Sequence, residues 1–162
     1  MNKAIFFDRD GIINKERSDY VKNVQELELF PEFPKFVKSL KEHGFLIMVI
    51  TNQSAINRGL MTESSLDKIH AKIQAHMKTN STSIDHFYYC PHRPDENCDC
   101  RKPKSGLLFR AANDFSIELT SSWMIGDSDS DVIAGQNAGC KTRKINGMKS
   151  LSHLINQILC NN

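Results

Sequence analysis

Three observations predict an α/β fold, with a parallel sheet held between layers of helices. Near-unbroken apolar runs, Ala4-Ile5-Phe6-Phe7 first and then residues 45–50, have the pattern of strands covered on both faces. Between such runs lie segments whose apolar residues recur at helical spacing, so strands and helices alternate. The runs also stop abruptly at polar residues, which is where a parallel sheet carries its chemistry.

Taken in order, the first strand is expected over residues 4–7, ending at Asp8-Arg9-Asp10-Gly11. Residues 36–43 have helical spacing through Phe36, Val37 and Leu40, with Phe30 and Phe33 packing at the helix entry. Gly44 is a natural C-cap, because glycine turns left-handed without steric cost. Residues 45–50 form the second strand and lead into Thr51-Asn52. Thr62 supplies a capping hydroxyl for a helix that continues towards Lys78 with Leu66, Ile69 and Ile73 on one face. A third strand over residues 86–89 is followed by an irregular loop over 90–104 and a helix over 106–115. A strand over 123–125, a helix over 132–138, a short strand over 142–145 and a tail helix from Leu151 complete the series. No repeat, low-complexity segment or linker interrupts it, so residues 1–162 are expected to form one domain.

The net charge is +2, from 21 basic and 19 acidic residues, too weak a field to argue for nucleic acid or an anionic membrane as partner. No apolar run approaches the roughly 18 residues of a membrane span. The apolar stretch after Met1-Asn2-Lys3 is too short for a secretory signal, so a cytoplasmic location is expected. Five cysteines, with Cys90, Cys98 and Cys100 gathered together, suit a reduced compartment and a metal site better than a disulfide framework.

Asp8 and Asp10 follow the first strand, Thr51 and Asn52 the second, and Gly126-Asp127 then Ser128-Asp129-Ser130-Asp131 the fourth. Parallel strands would gather these ends at one edge. A phosphoryl group in transit carries charge on its peripheral oxygens, so it needs a nucleophile, a divalent cation, a hydroxyl or amide donor and a fixed protein cation. Asp8 as nucleophile would form an aspartyl phosphate and split hydrolysis into two steps. Mg2+ held by Asp8, Asp127 and a backbone oxygen would offset the repulsion between that carboxylate and the incoming phosphate. Asp10 would protonate the leaving oxygen and later deprotonate the attacking water. Either motif alone is a common turn sequence; their placement after separate strands is what argues for a site. Asp129 reads as a solvated or helix-starting residue.

Cys90-Pro91-His92 and Cys98-Asp99-Cys100 put three thiolates and one imidazole where they can close a tetrahedron around Zn2+ with no open position, which makes the site structural. The loop holds Pro91, Pro94 and Pro103 and little that is apolar, so burial cannot order it. Structural zinc, worth roughly 10–16 kcal/mol in small peptides, can. Arg101 and Lys102 follow the last ligand directly, and ordering the loop would deliver both to the sheet edge, with Lys102 holding nucleophile and phosphate together. Cys140 and Cys160 read as packing or surface residues, as do His43, His70, His76, His86 and His153.

Asp8-Arg9-Asp10-Gly11, Thr51-Asn52-Gln53-Ser54, Cys90-Pro91-His92, Cys98-Asp99-Cys100-Arg101-Lys102-Pro103 and Gly126-Asp127 together resemble the haloacid dehalogenase (HAD) superfamily of phosphatases. More narrowly they are similar to its zinc-containing branch, which holds the heptose bisphosphate and histidinol phosphate phosphatases. The resemblance covers residues 4–145. It implies a three-layer Rossmann-like α/β/α fold, Asp8 as nucleophile, Asp10 as acid/base, and Mg2+ at Asp8, the backbone of Asp10 and Asp127. It also implies phosphate contacts from Thr51, Asn52, Arg101 and Lys102. Ile12 stands where the wider superfamily often has threonine, a position that mainly shapes the turn.

The spacings from Asp8 to Thr51 and from Thr51 to Lys102 are filled by the sheet, its helices and the zinc loop, so no cap domain fits and short loops must select the substrate. The zinc loop is similar to the histidinol branch, whereas Asp19-Tyr20-Val21 and residues 52–59 are similar to the heptose branch. Asp19, Tyr20, Gln53, Ser54 and Arg58 are therefore further candidate substrate contacts. Charge favours the sugar: a second phosphate wants a cation at the rim, for which Arg58 or Arg17 is available, while the amine of histidinol phosphate would prefer carboxylates. The resemblance thus implies a Mg2+-dependent, monomeric phosphatase yielding heptose 1-phosphate for lipopolysaccharide or another surface polysaccharide. A histidinol-phosphate phosphatase and an inactive zinc-stabilised binding module are the alternatives.

Overall fold

A computed structural model describes residues 1–161. Its strands are β1 (Lys3–Phe7), β2 (Phe45–Asn52), β3 (His86–Cys90), β4 (Trp123–Gly126) and β5 (Lys141–Lys144), and they form one parallel sheet in the order β3-β2-β1-β4-β5. The helices are α1 (Phe33–Glu42), α2 (Glu63–Thr79), α3 (Gly106–Phe115), α4 (Asp129–Ala138) and α5 (Gly147–Cys160).

Alternation along β1 explains the layering. Ile5 and Phe7 pack into a core shared with Val37 of α1, Ile69 of α2 and Leu154 of α5. Ala4 and Phe6 pack on the other face with Leu107 and Leu108 of α3 and Ala134 of α4. Successive side chains of a strand point to opposite faces, so a strand with no polar position must be covered twice. The sheet is therefore the middle of three layers, as the sequence predicts.

The strand order also positions the site. From central β1 the chain steps outward through β2 to β3, then returns to the other side of β1 for β4 and β5. The loops leaving β1 and β4 diverge from neighbouring strands, and the crevice between them lies at the carboxyl end of the sheet. Phe7 is in register with both Val49 and Ile125, so Asp8, Ile50 and Gly126 sit at one level, with β2 running two residues further to Asn52.

Element ends depart from expectation where local chemistry extends a helix. α1 starts at Phe33 rather than Phe36, because Pro34 in its first turn already has a helical φ. α4 starts at Asp129 rather than Val132, because Ser128 and Asp131 close a capping box ahead of the apolar residues. α5 starts at Gly147 rather than Leu151. At α2 the Thr62 hydroxyl accepts from the Ser65 N–H at 3.1 Å, as its sequence indicates.

Candidate active site

The turn after β1 is tight. The Arg9 carbonyl accepts from the N–H groups of Ile12 and Ile13 at 3.1 and 2.8 Å, and Gly11 adopts φ +86°. A Cβ on Gly11 would lie 2.0 Å from Asp127 Oδ2, so only glycine lets this turn meet the end of β4. Asp8 and Asp127 are thereby brought to one place from sequence positions far apart.

Lys102 reaches the same place from the loop after β3. Its Nζ lies 2.8 Å from Asp8 Oδ1 and 2.7 Å from Asp131 Oδ1, and donates to the Ile50 carbonyl at 2.7 Å. Asn52, at the end of β2, fixes the lysine's main chain: its Nδ2 donates to the Lys102 carbonyl at 3.1 Å and its Oδ1 accepts from the Lys102 N–H at 3.0 Å. Both polar ends of Asn52 are thus engaged by the Lys102 main chain, and Asn52 also lines the cavity that opens over the site.

Carboxylate oxygens of Asp8, Asp127 and Asp131 all lie within 4.8 Å of one another. Burial raises Asp8 to about 7, with Asp131 and Asp10 adding to the rise and Lys102 only partly offsetting it. Burial and the nearby Asp131 raise Asp127 as well. Lys102, despite complete burial, is held above the ordinary lysine value by Asp8 and Asp131, so it stays charged. One lysine among three clustered carboxylates leaves excess negative charge, and hard oxygen donors in such a cluster fit a divalent cation such as Mg2+.

Asp10 faces a different set of partners. Its Oδ1 accepts from Arg9 Nη2 at 2.8 Å and Asn14 Nδ2 at 3.0 Å, and its Oδ2 accepts from Gln53 Nε2 at 3.0 Å. Burial alone would raise its pKa, but the Arg9 charge and these donors outweigh burial and lower it. The Asp10 side chain stands outside the metal-type cluster, so any contribution from this residue to a cation would come from its main chain. Thr51, fully buried, accepts from the same Gln53 amide at 2.9 Å.

A cavity of about 280 Å³ opens over this cluster. Asp8, Asp10, Asn52, Gln53, Lys102, Asp127 and Asp131 line it, with Tyr20, Arg17 and Glu16 towards the rim. Several candidate contacts lie elsewhere. Asp19 is exposed and paired with Arg17 and Lys22. Ser54 is buried beneath the β2 loop, where its hydroxyl accepts from Arg58 Nε at 3.3 Å, and Arg58 does not line the cavity. Arg101 donates to the His92 carbonyl at 3.2 Å and lines a neighbouring cleft that shares Lys102. Of the rim cations, Arg17 lines the cavity.

Behind that cleft, Cys90, His92, Cys98 and Cys100 place one ligand atom each within 4.8 Å of the others. His92 Nδ1 lies 3.3 Å from Cys90 Sγ and 3.2 Å from Cys100 Sγ, and no disulfide forms among the described residues. Burial pushes the Cys90 thiol up, so it would not ionise without a cation beside it. The donor set fits Zn2+.

A HAD-hydrolase-like family model matches residues 99–146. The D-glycero-beta-D-manno-heptose-1,7-bisphosphate 7-phosphatase of Helicobacter pylori (strain J99) is 40% identical over 162 residues, covering 99% of this chain and 92% of that relative. The chain belongs to the heptose-1,7-bisphosphate 7-phosphatase family of HAD-like phosphatases. A Pseudomonas putida protein of the same name is 37% identical over 139 residues, 86% of this chain and 79% of that one. The crystal structure of D,D-heptose 1,7-bisphosphate phosphatase from B. bronchiseptica, complexed with magnesium and phosphate, superposes with a TM-score of 0.90 at 29% identity over 99% of each chain.

Within this phosphatase family fold, Asp131 is the charged group that sequence reasoning missed. The available signal was Ser128-x-x-Asp131, a capping-box spacing that aims the second acid of the pair back at the strand end. Glu16 was missed too, and nothing in its local sequence marks it.

Proposed function

We propose that the chain is a Mg2+-dependent phosphatase that removes the C7 phosphate of D-glycero-D-manno-heptose 1,7-bisphosphate and leaves heptose 1-phosphate. The observation that carries this reading is the buried Lys102 bridge between Asp8 and Asp131, set in one cavity with Asp10 and Asp127. Asp8, Asp127 and the main chain of Asp10 would hold Mg2+, with Asp131 close by, and the ion's charge would screen the Asp8 carboxylate from the incoming phosphate.

An Asp8 oxygen attacks phosphorus opposite the C7 oxygen. The new O–P bond forms as the P–O7 bond breaks, and Asp10, held ionised by Arg9 in the free site, takes up a proton from solvent as the anionic substrate binds and gives that proton to O7. Water then attacks the aspartyl phosphate and loses its proton to Asp10. The Asp8–phosphorus bond breaks, releasing inorganic phosphate and restoring both carboxyl groups. Lys102 stays positive throughout and offsets charge on the peripheral oxygens. Arg17 at the cavity rim supplies a cation for the distal phosphate, while Arg58 lies outside the cavity lining.

Zn2+ held by Cys90, His92, Cys98 and Cys100 would order the loop that carries Lys102 and take no part in the chemistry. We take residues 1–162 as one domain, acting as a cytoplasmic monomer in surface-polysaccharide precursor synthesis. No described helix is long and apolar enough to cross a membrane.

A second reading, histidinol phosphate as substrate, has one observation in its favour: Glu16 lines the cavity with no ion-pair partner among the described residues, and a carboxylate there suits an amine. The names of the family relatives favour the sugar. Side-by-side turnover decides. The heptose bisphosphate should have the higher kcat/KM, and a preference for histidinol phosphate would overturn the sugar assignment. Asp8→Asn should abolish turnover of both while zinc content and the melting transition persist. Retained turnover would remove Asp8 as nucleophile.

A further inference from the structure

Arg9 lies between the two aspartates of the β1 turn, yet it is fully buried. Its Nη2 donates to Asp10 Oδ1 at 2.8 Å and its Nη1 donates to His70 Nε2 at 3.4 Å, while Nε has no protein partner among the described residues. Burying a guanidinium is costly unless its donors are taken up, so these two acceptors define where the fork can sit. A guanidinium can only donate. His70 must therefore offer a bare Nε2 and carry its proton on Nδ1.

His70 is itself fixed. It projects from α2, is buried, and stacks on the Phe87 ring of β3 with centroids 4.5 Å apart and planes 18° apart. Burial, then the Arg9 charge, keep it neutral by lowering it to about 3. A neutral, stacked imidazole is a rigid acceptor that cannot compete with Asp10 for charge.

Asp10 receives the fork on one oxygen only. With Arg9 and Asn14 both donating to Oδ1, that oxygen is committed, and Oδ2 is left with the single Gln53 contact. We propose that His70 and Arg9 form a positioning relay that runs from α2 to Asp10 and presents Oδ2 as the oxygen that exchanges the proton with the leaving group and with water. Neither residue touches substrate. The relay rests on the reading of Asp10 as acid/base, and it extends that reading by naming what aims the carboxyl group.

Leaving-group dependence tests it. kcat/KM reports the steps through departure of the leaving group, for which a sugar alkoxide needs a proton and p-nitrophenolate does not. His70→Phe keeps the aromatic stack and removes the acceptor. It should lower kcat/KM for heptose bisphosphate by about tenfold and for p-nitrophenyl phosphate by less than about twofold. His70→Gln, whose amide oxygen can accept from Arg9, should recover most of the loss. Arg9→Met should show the same asymmetry more strongly, about a hundredfold against a few-fold. Equal losses on both substrates, or no loss in a folded His70→Phe protein, overturn the relay. Asp10→Asn separates the two levels. If it loses both substrates equally, the acid/base reading fails and the relay with it; if it discriminates between them and neither Arg9→Met nor His70→Phe does, the relay alone falls.

Discussion

Asp131 does two jobs with one carboxyl group. Its Oδ1 pairs with Lys102, and its Oδ2 accepts from the Ser128 N–H at 3.1 Å and hydroxyl at 2.8 Å. Asp131→Asn keeps the volume and removes the charge. We expect a loss of about 1–2 kcal/mol from the weakened cap, readable by thermal melting, and a fall in kcat of at least about a hundredfold, because Lys102 would then pair with Asp8 alone. His70 gives a pH prediction. Its folded value, about 3, lies below the ordinary 6.5, held there by burial and Arg9 against the opposing pull of Asp10. The unfolded chain takes up the proton first as pH falls. The stability that His70 contributes is therefore fully present above pH 6.5 and is lost progressively towards pH 3. Denaturant titration should show the parent losing about 2 kcal/mol more than His70→Phe between pH 7 and pH 5.

At the scale of elements, the loop from Cys90 to Lys104 has little apolar content of its own, and no disulfide closes it. Removing zinc with a strong chelator should disorder it and lower turnover through misplacement of Lys102, with most of the sheet's far-UV signal retained. Zinc readdition should restore activity. The β1 turn makes a second element-scale prediction. Gly11→Ala forces a Cβ into a left-handed position 2.0 Å from Asp127 Oδ2. It should cost about 1–3 kcal/mol in stability and lower kcat by more than about tenfold, measured by melting and steady-state turnover. Strands and helices were legible in the sequence because apolar periodicity is a local property. The starts of α1 and α4 were not, because a proline or a polar cap extends a helix beyond the apolar residues that reveal it. The Cys/His cluster was legible because chelation restricts both residue type and spacing.

The cavity lies at the junction of separate chain segments, so ligand binding there should stabilise the entire fold. Mg2+ with inorganic phosphate, each at about 100 times its dissociation constant, should raise Tm by about 10–20 °C. Asp8→Asn should lose most of that shift. A shift of equal size in Asp8→Asn would mean that the ions bind elsewhere. At this scale the candidate site was only partly legible. Asp8, Lys102 and Asp127 meet in one cavity, and their motifs indicated as much because each follows a strand or a metal-type loop. Asp19 and Arg58 carry equally plausible sequence contexts, and the structure pairs them with their near neighbours Arg17 and Ser54.

The sequence by itself determined the alternation of strands and helices, the polar residues at the strand ends and the four sulfur and nitrogen ligands, because each is written in periodicity or spacing along a short stretch. Only the tertiary structure decided which acids share Lys102, that Asn52 holds the lysine's main chain, and that Arg9 turns inward to His70. Those outcomes depend on the strand order and on which helix covers which face. Charges far apart in the chain are brought together there at low dielectric, where a few ångströms separate a paired group from an uncompensated one.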